Sequence, residues 1–296
     1  MPKSVIEPFL SYLRYERNRS ELTVKRYETS LHDFEAYFLS LDSVLTWASV
    51  DADIIRGWME SLMERGNIAS TVNTGLSALR SFYKFALARN LVDRDPAHGV
   101  TGPKKKKPLP QFVREDDMDK LLDREEWGDN YKDVRARTIL ILLYEAGLRR
   151  AELTGLNNRD VDFAAGQLKV TGKRNKQRVV PFGTELAEQL RRYMEIRDEE
   201  VEAIDDALFV DKQGKRMTGS QVYEVVRTNL SKVTTMKKRS PHVLRHSFAT
   251  AMLNHDAGLE SVRQLLGHES LETTEIYTHT TFEQLKRVYK DAHPRA

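Results

Sequence analysis

The sequence predicts a mainly α chain with one small antiparallel sheet, an α+β arrangement in two domains. Three observations lead there. Apolar residues recur at helical spacing in four stripes through residues 1–97. Three short runs alternating apolar and polar residues lie between Val161 and Phe182. Between these regions, residues 95–110 combine four prolines, two glycines and an unbroken lysine run. Proline removes backbone donors and glycine raises the entropy of ordering, so this stretch can be neither helix nor central strand. At 296 residues the chain has room for roughly two domains, and it can bury a core without disulfides or metal.

In chain order, Val5, Phe9, Tyr12 and Leu13 mark the first helix and Leu31, Phe34, Tyr37 and Phe38 the second. Ile54, Ile55, Trp58, Met59 and Leu62 form a third stripe that ends near Gly66. Ser70 with Asn73 is expected to open a fourth helix, whose inner side carries Val72, Leu76, Leu79, Phe82, Tyr83 and Phe85. The plainest assignment is a small helical domain over 1–97 with these aromatics as its core. Residues 98–112 read as a basic linker. The lysines Lys104, Lys105, Lys106 and Lys107 are either simply solvated or laid along a phosphate backbone. Over 113–296 the pattern is mixed. Arg137 to Tyr144 is a strongly apolar helical segment. Val161 and Phe163, then Leu168 and Val170, then Val179, Val180 and Phe182 form a three-stranded meander. Helices resume at Glu185.

Composition sets limits on function. With 40% hydrophobic and 31% charged residues the chain resembles an ordinary soluble globular protein. Cysteine is absent, which excludes thiolate nucleophiles, disulfides and Cys-ligated zinc. The longest apolar run, Ile139 to Tyr144, is far short of the roughly 20 residues of a membrane span. No basic segment followed by an apolar core opens the chain, so no secretory signal is expected and a cytoplasmic location follows. The net charge of +3 is a small difference between 47 basic and 44 acidic side chains, and the excess lies beyond residue 103.

Several enzyme classes lack their motif. There is no GxSxG elbow, no HExxH and no GxxxxGK[ST] loop. Asp160 and Asp162 alternate with Val161 and Phe163, so they are expected to face water on a strand rather than hold a metal. No cofactor is implied. What remains is cationic, and each signal has a bland reading beside the functional one. Ser240-Pro241 reads as a helix cap and first position, with His242 and Arg245 three apart near a helix N-terminus that favours an anion. Arg149 and Glu152 are also three apart: a solvated ion pair, or an arginine held by a carboxylate so that its fork can grip a phosphate. Lys173 sits at a hairpin tip, His268 just past a helix that ends at Gly267, and Tyr277 on a short polar segment.

Taken in order, Gly147-Leu148-Arg149 with Glu152-Leu153, then Gly172-Lys173, then the run from His242 to Thr250, then Leu265-Leu266-Gly267-His268, then Tyr277 within residues 273–279, the set resembles the tyrosine recombinases. The match is to the Xer recombinases, which resolve chromosome dimers, and it spans nearly the whole chain. The resemblance implies a helical core-binding domain and a catalytic domain that together form a clamp around double-stranded DNA. Arg149 and Arg245 would grip the scissile phosphate and Tyr277 would be the nucleophile. His242 would act as base or phosphate ligand and His268 would donate to a non-bridging oxygen. Lys173 would protonate the departing 5′ oxygen, with Lys176 the alternative because Arg174 stands where relatives often carry a second glycine. Glu152 would position the first arginine, and Arg150 would make surface or backbone contacts to DNA.

The resemblance further implies strand exchange through a 3′-phosphotyrosine, with neither ATP nor divalent ion. It also implies a homo- or hetero-tetramer on two duplexes, the C-terminal helix 281–290 docking in trans on a neighbour through Phe282, Leu285 and Val288, and an FtsK-type translocase as a possible activator. The alternatives are a mobile-element integrase or excisionase, a monomeric type IB topoisomerase, and a DNA-binding protein that has lost the chemistry. The first helix is expected to begin close to Met1, so the arm-binding domain of phage-type integrases is not expected.

Overall fold

The structure is a computed structural model that describes residues 5–105, 111–123, 125, 127–172, 175–267 and 279–295, with only the backbone of 279–284. The chain divides into two compact units, residues 1–108 and 109–296.

The first unit is helical. α1 (Ile6–Ser11) runs into a π-helical turn, Tyr12–Glu16, and is followed by α2 (Glu21–Leu41), α3 (Ala52–Glu64) and α4 (Ala69–Ala88). The caps follow local chemistry. Ser20 Oγ accepts from Thr23 N at 3.3 Å, and one Asp51 oxygen accepts from Asp53 N and Ile54 N, each at 2.9 Å. α4 opens differently from the sequence expectation. Its cap is Ile68, without a side-chain bond, and Ser70 already lies inside the helix. Asn73, three residues on, serves another purpose: its Nδ2 donates to Pro103 O at 2.9 Å. The four apolar stripes close one aromatic-rich core, with Phe34 beside Trp58 at 5.1 Å and Trp47 beside Phe82 at 4.3 Å between ring centroids. Gly75 is a packing requirement, since a Cβ there would lie 2.7 Å from the Trp58 ring.

The stretch after α4 is partly ordered on that helix. Arg80 donates to the carbonyls of Ala97 and Val100, and both of those residues are buried. Residues 97–103 therefore belong to the packing of the first unit. Lys104 and Lys105 follow as exposed side chains.

In the second unit, α5 (Glu115–Leu122) and α6 (Tyr131–Glu145) precede α7 (Arg150–Thr154). The three strands, β1 (Val161–Asp162), β2 (Gln167–Thr171) and β3 (Gln177–Pro181), pair antiparallel in sequence order, with Leu168 opposite both Val161 and Val180. The meander expected from alternation is present. α8 (Thr184–Glu200), α9 (Gly219–Val233), α10 (Pro241–Asn254), α11 (Leu259–Leu266) and α12 (His279–Ala292) complete the unit. α6 is the central helix: every residue from Ala136 to Glu145 is buried, because α8, α9 and α10 cover it. Its segment Ile139–Tyr144, apolar on every side, is the mark of a core helix.

Within this chain the apolar side of α12 lies on α10 and α11. Its Leu285, Tyr289 and Ala292 pack against Phe248, Met252, Val262 and Leu265 of α10 and α11 of the same chain. His293 stacks on Tyr289 and Phe248 at 5.3 and 5.5 Å, and Arg295 pairs with Asp119 and Glu185. The Phe282 side chain lies outside the described residues.

Candidate active site

The site begins at the turn into α7. Gly147 has φ +56, and a Cβ there would meet the Phe248 ring at 2.6 Å, so only glycine lets the chain turn so close to α10. Arg149 then takes the N-cap position of α7 in an extended conformation. Glu152, at the third helical position, reaches back so that its Oε2 accepts from Arg149 N at 2.8 Å. The carboxylate is 3% exposed and fully engaged. Oε1 accepts from Arg149 Nη1 at 2.7 Å and from Arg178 Nη1 at 2.8 Å, and Oε2 also accepts from Arg178 Nη2 at 2.9 Å. Arg245 Nη1 stands 3.9 Å from Oε2.

The other half of the frame is the C-terminal end of α11. The last carbonyls of a helix have no intrahelical donor and carry the negative end of its dipole. Here three successive carbonyls each receive an arginine. Leu265 O accepts from Arg178 Nε at 3.0 Å, Leu266 O from Arg245 Nη2 at 2.5 Å, and Gly267 O from Arg149 Nη2 at 3.0 Å. Gly267 ends the helix at φ +63, in the left-handed region where glycine is favoured. Arg245 Nη1 also donates to Gly147 O, which ties the α7 turn to α10.

Three guanidinium charges thus surround one carboxylate, leaving two positive charges in excess. Burial alone would raise the Glu152 pKa. The hydrogen bonds and charge of Arg178, joined by those of Arg149, outweigh it and hold the group at about 2. Burial, then the charges of Arg149 and Arg178 against the opposing pull of Glu152, brings Arg245 down to about 9, still protonated at neutral pH. His242 is shifted below its ordinary 6.5 by partial desolvation of its ring, then by the charges of His246, Lys238, Arg150 and Arg245. Its ring is neutral at pH 7. Fixed guanidinium forks with a cationic surplus are chemically able to bind a phosphodiester and to stabilise charge built up on it.

The structure brings Arg149, Glu152 and Arg245 together. His242 sits in the first turn of α10, but it is exposed where Arg245 is drawn inward by carbonyls. Ser240 does occupy the cap position before Pro241, yet its buried hydroxyl has no partner among the described residues. Arg150 leaves the cluster and lies against the start of α9, 3.0 Å from where a Gly219 Cβ would be. Lys176 is at the β2–β3 turn, its carbonyl accepting from Gly172 N at 2.7 Å. Lys173, His268, Tyr277, Lys106 and Lys107 lie outside the described residues. The aspartates first weighed as metal ligands cap turns: Asp160 accepts from Asn157 N and Asp162 from Ala165 N, each at 2.9 Å. Among the described residues no group of three His, Asp or Glu is placed to hold a metal, and no helix is long and apolar enough to cross a membrane.

Sequence reasoning missed Arg178. It pairs with Val170 across the sheet and shares a face with the fully buried Val170 and Val180, and its side chain is only 10% exposed. An arginine on the apolar face of an alternating strand was the available signal.

Residues 111–284 match the phage integrase family, and residues 6–90 match the N-terminal SAM-like domain of phage integrases. The tyrosine recombinase XerC of Vibrio vulnificus is 38% identical over 291 residues, covering 98% of this chain and 91% of that protein. The XerC of Chlorobaculum tepidum is 36% identical over 314 residues, covering 97% and 94%. The crystal structure of the XerH site-specific recombinase bound to a palindromic difH substrate, a post-cleavage complex, shares the fold with TM-score 0.71 at 22% identity, over 95% of this chain and 83% of that one. The chain therefore belongs to the phage integrase family, among its tyrosine recombinases of the Xer type.

Proposed function

We propose that this chain is a Xer-type site-specific tyrosine recombinase that cuts and rejoins double-stranded DNA, acting at a dif-like site to resolve chromosome dimers. The convergence of Arg149 and Arg245 on Glu152 and on the carbonyl end of α11 carries this reading. In it, Arg149 and Arg245 hold the non-bridging oxygens of one phosphate. The Tyr277 phenol gives up its proton, with the neutral ring of His242 as the acceptor in this reading. The phenolate oxygen bonds to phosphorus, the bond from phosphorus to the 5′ oxygen breaks, and Lys173 supplies the proton to that oxygen, with Lys176 as the alternative. His268 donates to a non-bridging oxygen. A 5′-hydroxyl from a second duplex then attacks the 3′-phosphotyrosine and regenerates the phenol. One phosphoester replaces another, so the exchange needs no external energy source.

In this reading residues 1–97 and 113–296 both contact the duplex, and four protomers act on two duplexes. Residues 98–112 connect them, and 98–103 are already seated on α4. Lys104, Lys105, Lys106, Lys107 and Arg150 meet the phosphate backbone. The test is a suicide duplex carrying the host's own recombination site, incubated in EDTA. Wild type should form an SDS-resistant covalent adduct that Tyr277→Phe does not form. An adduct with the phenylalanine variant would refute the assignment.

A further inference from the structure

β3 carries an arginine for which the reaction as written has no use. Arg178 projects from the middle of the strand, on the face of Val170 and Val180, where an unpaired charge is strongly disfavoured. All three of its nitrogens are engaged. Nη1 and Nη2 form a two-pronged pair with Glu152, and Nε donates to Leu265 O. Glu152 in turn holds Arg149 through both its backbone N–H and its Nη1, while α11 presents the next two carbonyls to Arg245 and Arg149. Arg178 therefore bonds both the carboxylate orienting Arg149 and the helix end on which Arg149 and Arg245 rest, and it does so from β3, outside the pair that would grip the phosphate. It is also more enclosed than Arg149, with a side chain 10% exposed against 38%. Gly267 fits this arrangement, since a Cβ there would press on Arg178 Cδ at 3.0 Å.

We propose that Arg178 is a positioning residue for strand cleavage: from β3 it locks Glu152 to the end of α11, and so fixes the spacing of the two guanidinium groups that grip the phosphate. The inference rests on the recombinase reading above. A rigid bidentate fork is what the role requires, because a lysine supplies the charge but cannot bridge two carboxylate oxygens and a carbonyl in one plane. The site would keep its charge and lose its register.

The experiment is a double-mutant cycle on the full chain, with single-turnover cleavage of the suicide duplex at saturating protein. The variants are Arg178→Lys, Arg149→Ala and the two combined. Duplex binding by R178K should stay within about threefold of wild type, while cleavage slows about 10²-fold, the effect of a small misplacement of catalytic groups. In the Arg149→Ala background the further loss from R178K should be far below 10²-fold, because the spacing that Arg178 fixes has already lost one of its two guanidinium groups. Cleavage by R178K within about threefold of wild type, or losses that multiply in the combined variant, would overturn the role. If R178K does not fold, Arg178→Gln, which can still donate to Leu265 O, replaces it in the cycle. Failure of both to fold assigns Arg178 to stability alone and also overturns the proposal. Absence of an adduct with wild type refutes the recombinase reading itself, an outcome distinct from cleavage that survives R178K.

Discussion

Replacing Glu152 by glutamine keeps the shape of the side chain and removes the one negative charge that, among the described residues, offsets three arginines. The cost can be worked in two ways. Breaking a buried ion pair by neutralising one partner leaves uncompensated charge and costs about 3–5 kcal/mol. The carboxyl is also held at about 2 against an ordinary value of 4.5, and that difference corresponds to about 3 kcal/mol of stability. A loss of about 3 kcal/mol in a unit of this size lowers the melting temperature by about 6–12 °C. The assay is thermal unfolding of the full chain at pH 7, wild type beside E152Q, following the transition of the second unit. The pH dependence is a stricter check. Because the folded-state value lies below the unfolded one, the contribution is complete above pH 4.5 and fades as the pH falls toward 2. The gap between the two proteins should therefore be constant from pH 7 to about 5 and narrow below that. Equal melting temperatures at pH 7, or a gap that widens on acidification, would refute the account of Glu152 as the buried counter-charge.

Other expectations come from particular side chains. Glu145 is fully buried, neither of its oxygens has a hydrogen-bond partner among the described residues, and Arg295 Nε lies 3.9 Å away. Burial and the charge of Glu185, against the pull of Arg295 and Arg137, hold its pKa well above 4.5, so the folded state is penalised as the pH rises past that value. Glu145→Gln should therefore gain stability relative to wild type between pH 4.5 and 7, and a gap of the same size at both ends would contradict this. Gly147→Ala combines a left-handed backbone with a clash on Phe248 and should cost about 2 kcal/mol or more in denaturant unfolding, so an unchanged midpoint would show that the turn relaxes freely. DNA binding should weaken steeply with salt, and Lys104→Ala and Lys105→Ala should each reduce the slope of log K against log salt by about 1. An unaltered slope would place those lysines away from the backbone phosphates.

Much of this protein is local in the chain and could be read without coordinates. Helical periodicity located all four helices of the first unit, and strict alternation located the meander, because each pattern records which side of one element faces a core. The order of Arg149, Glu152, Lys173, His242, Arg245, His268 and Tyr277 along the sequence likewise carries the family resemblance. The start of α4 was misplaced because Asn73 resembles a helix opener locally, while its actual partner, the carbonyl of Pro103, is 30 residues away. The same limit explains what the structure alone could decide. Arg149 meets Gly267 across 118 residues and Arg178 meets Leu265 across 87. No periodicity encodes such pairs, because each depends on how β3, α7 and α11 pack. Only that packing turned three separate arginines and one carboxylate into a single charged frame and laid α12 against α10 and α11, because neither arrangement is encoded in local spacing.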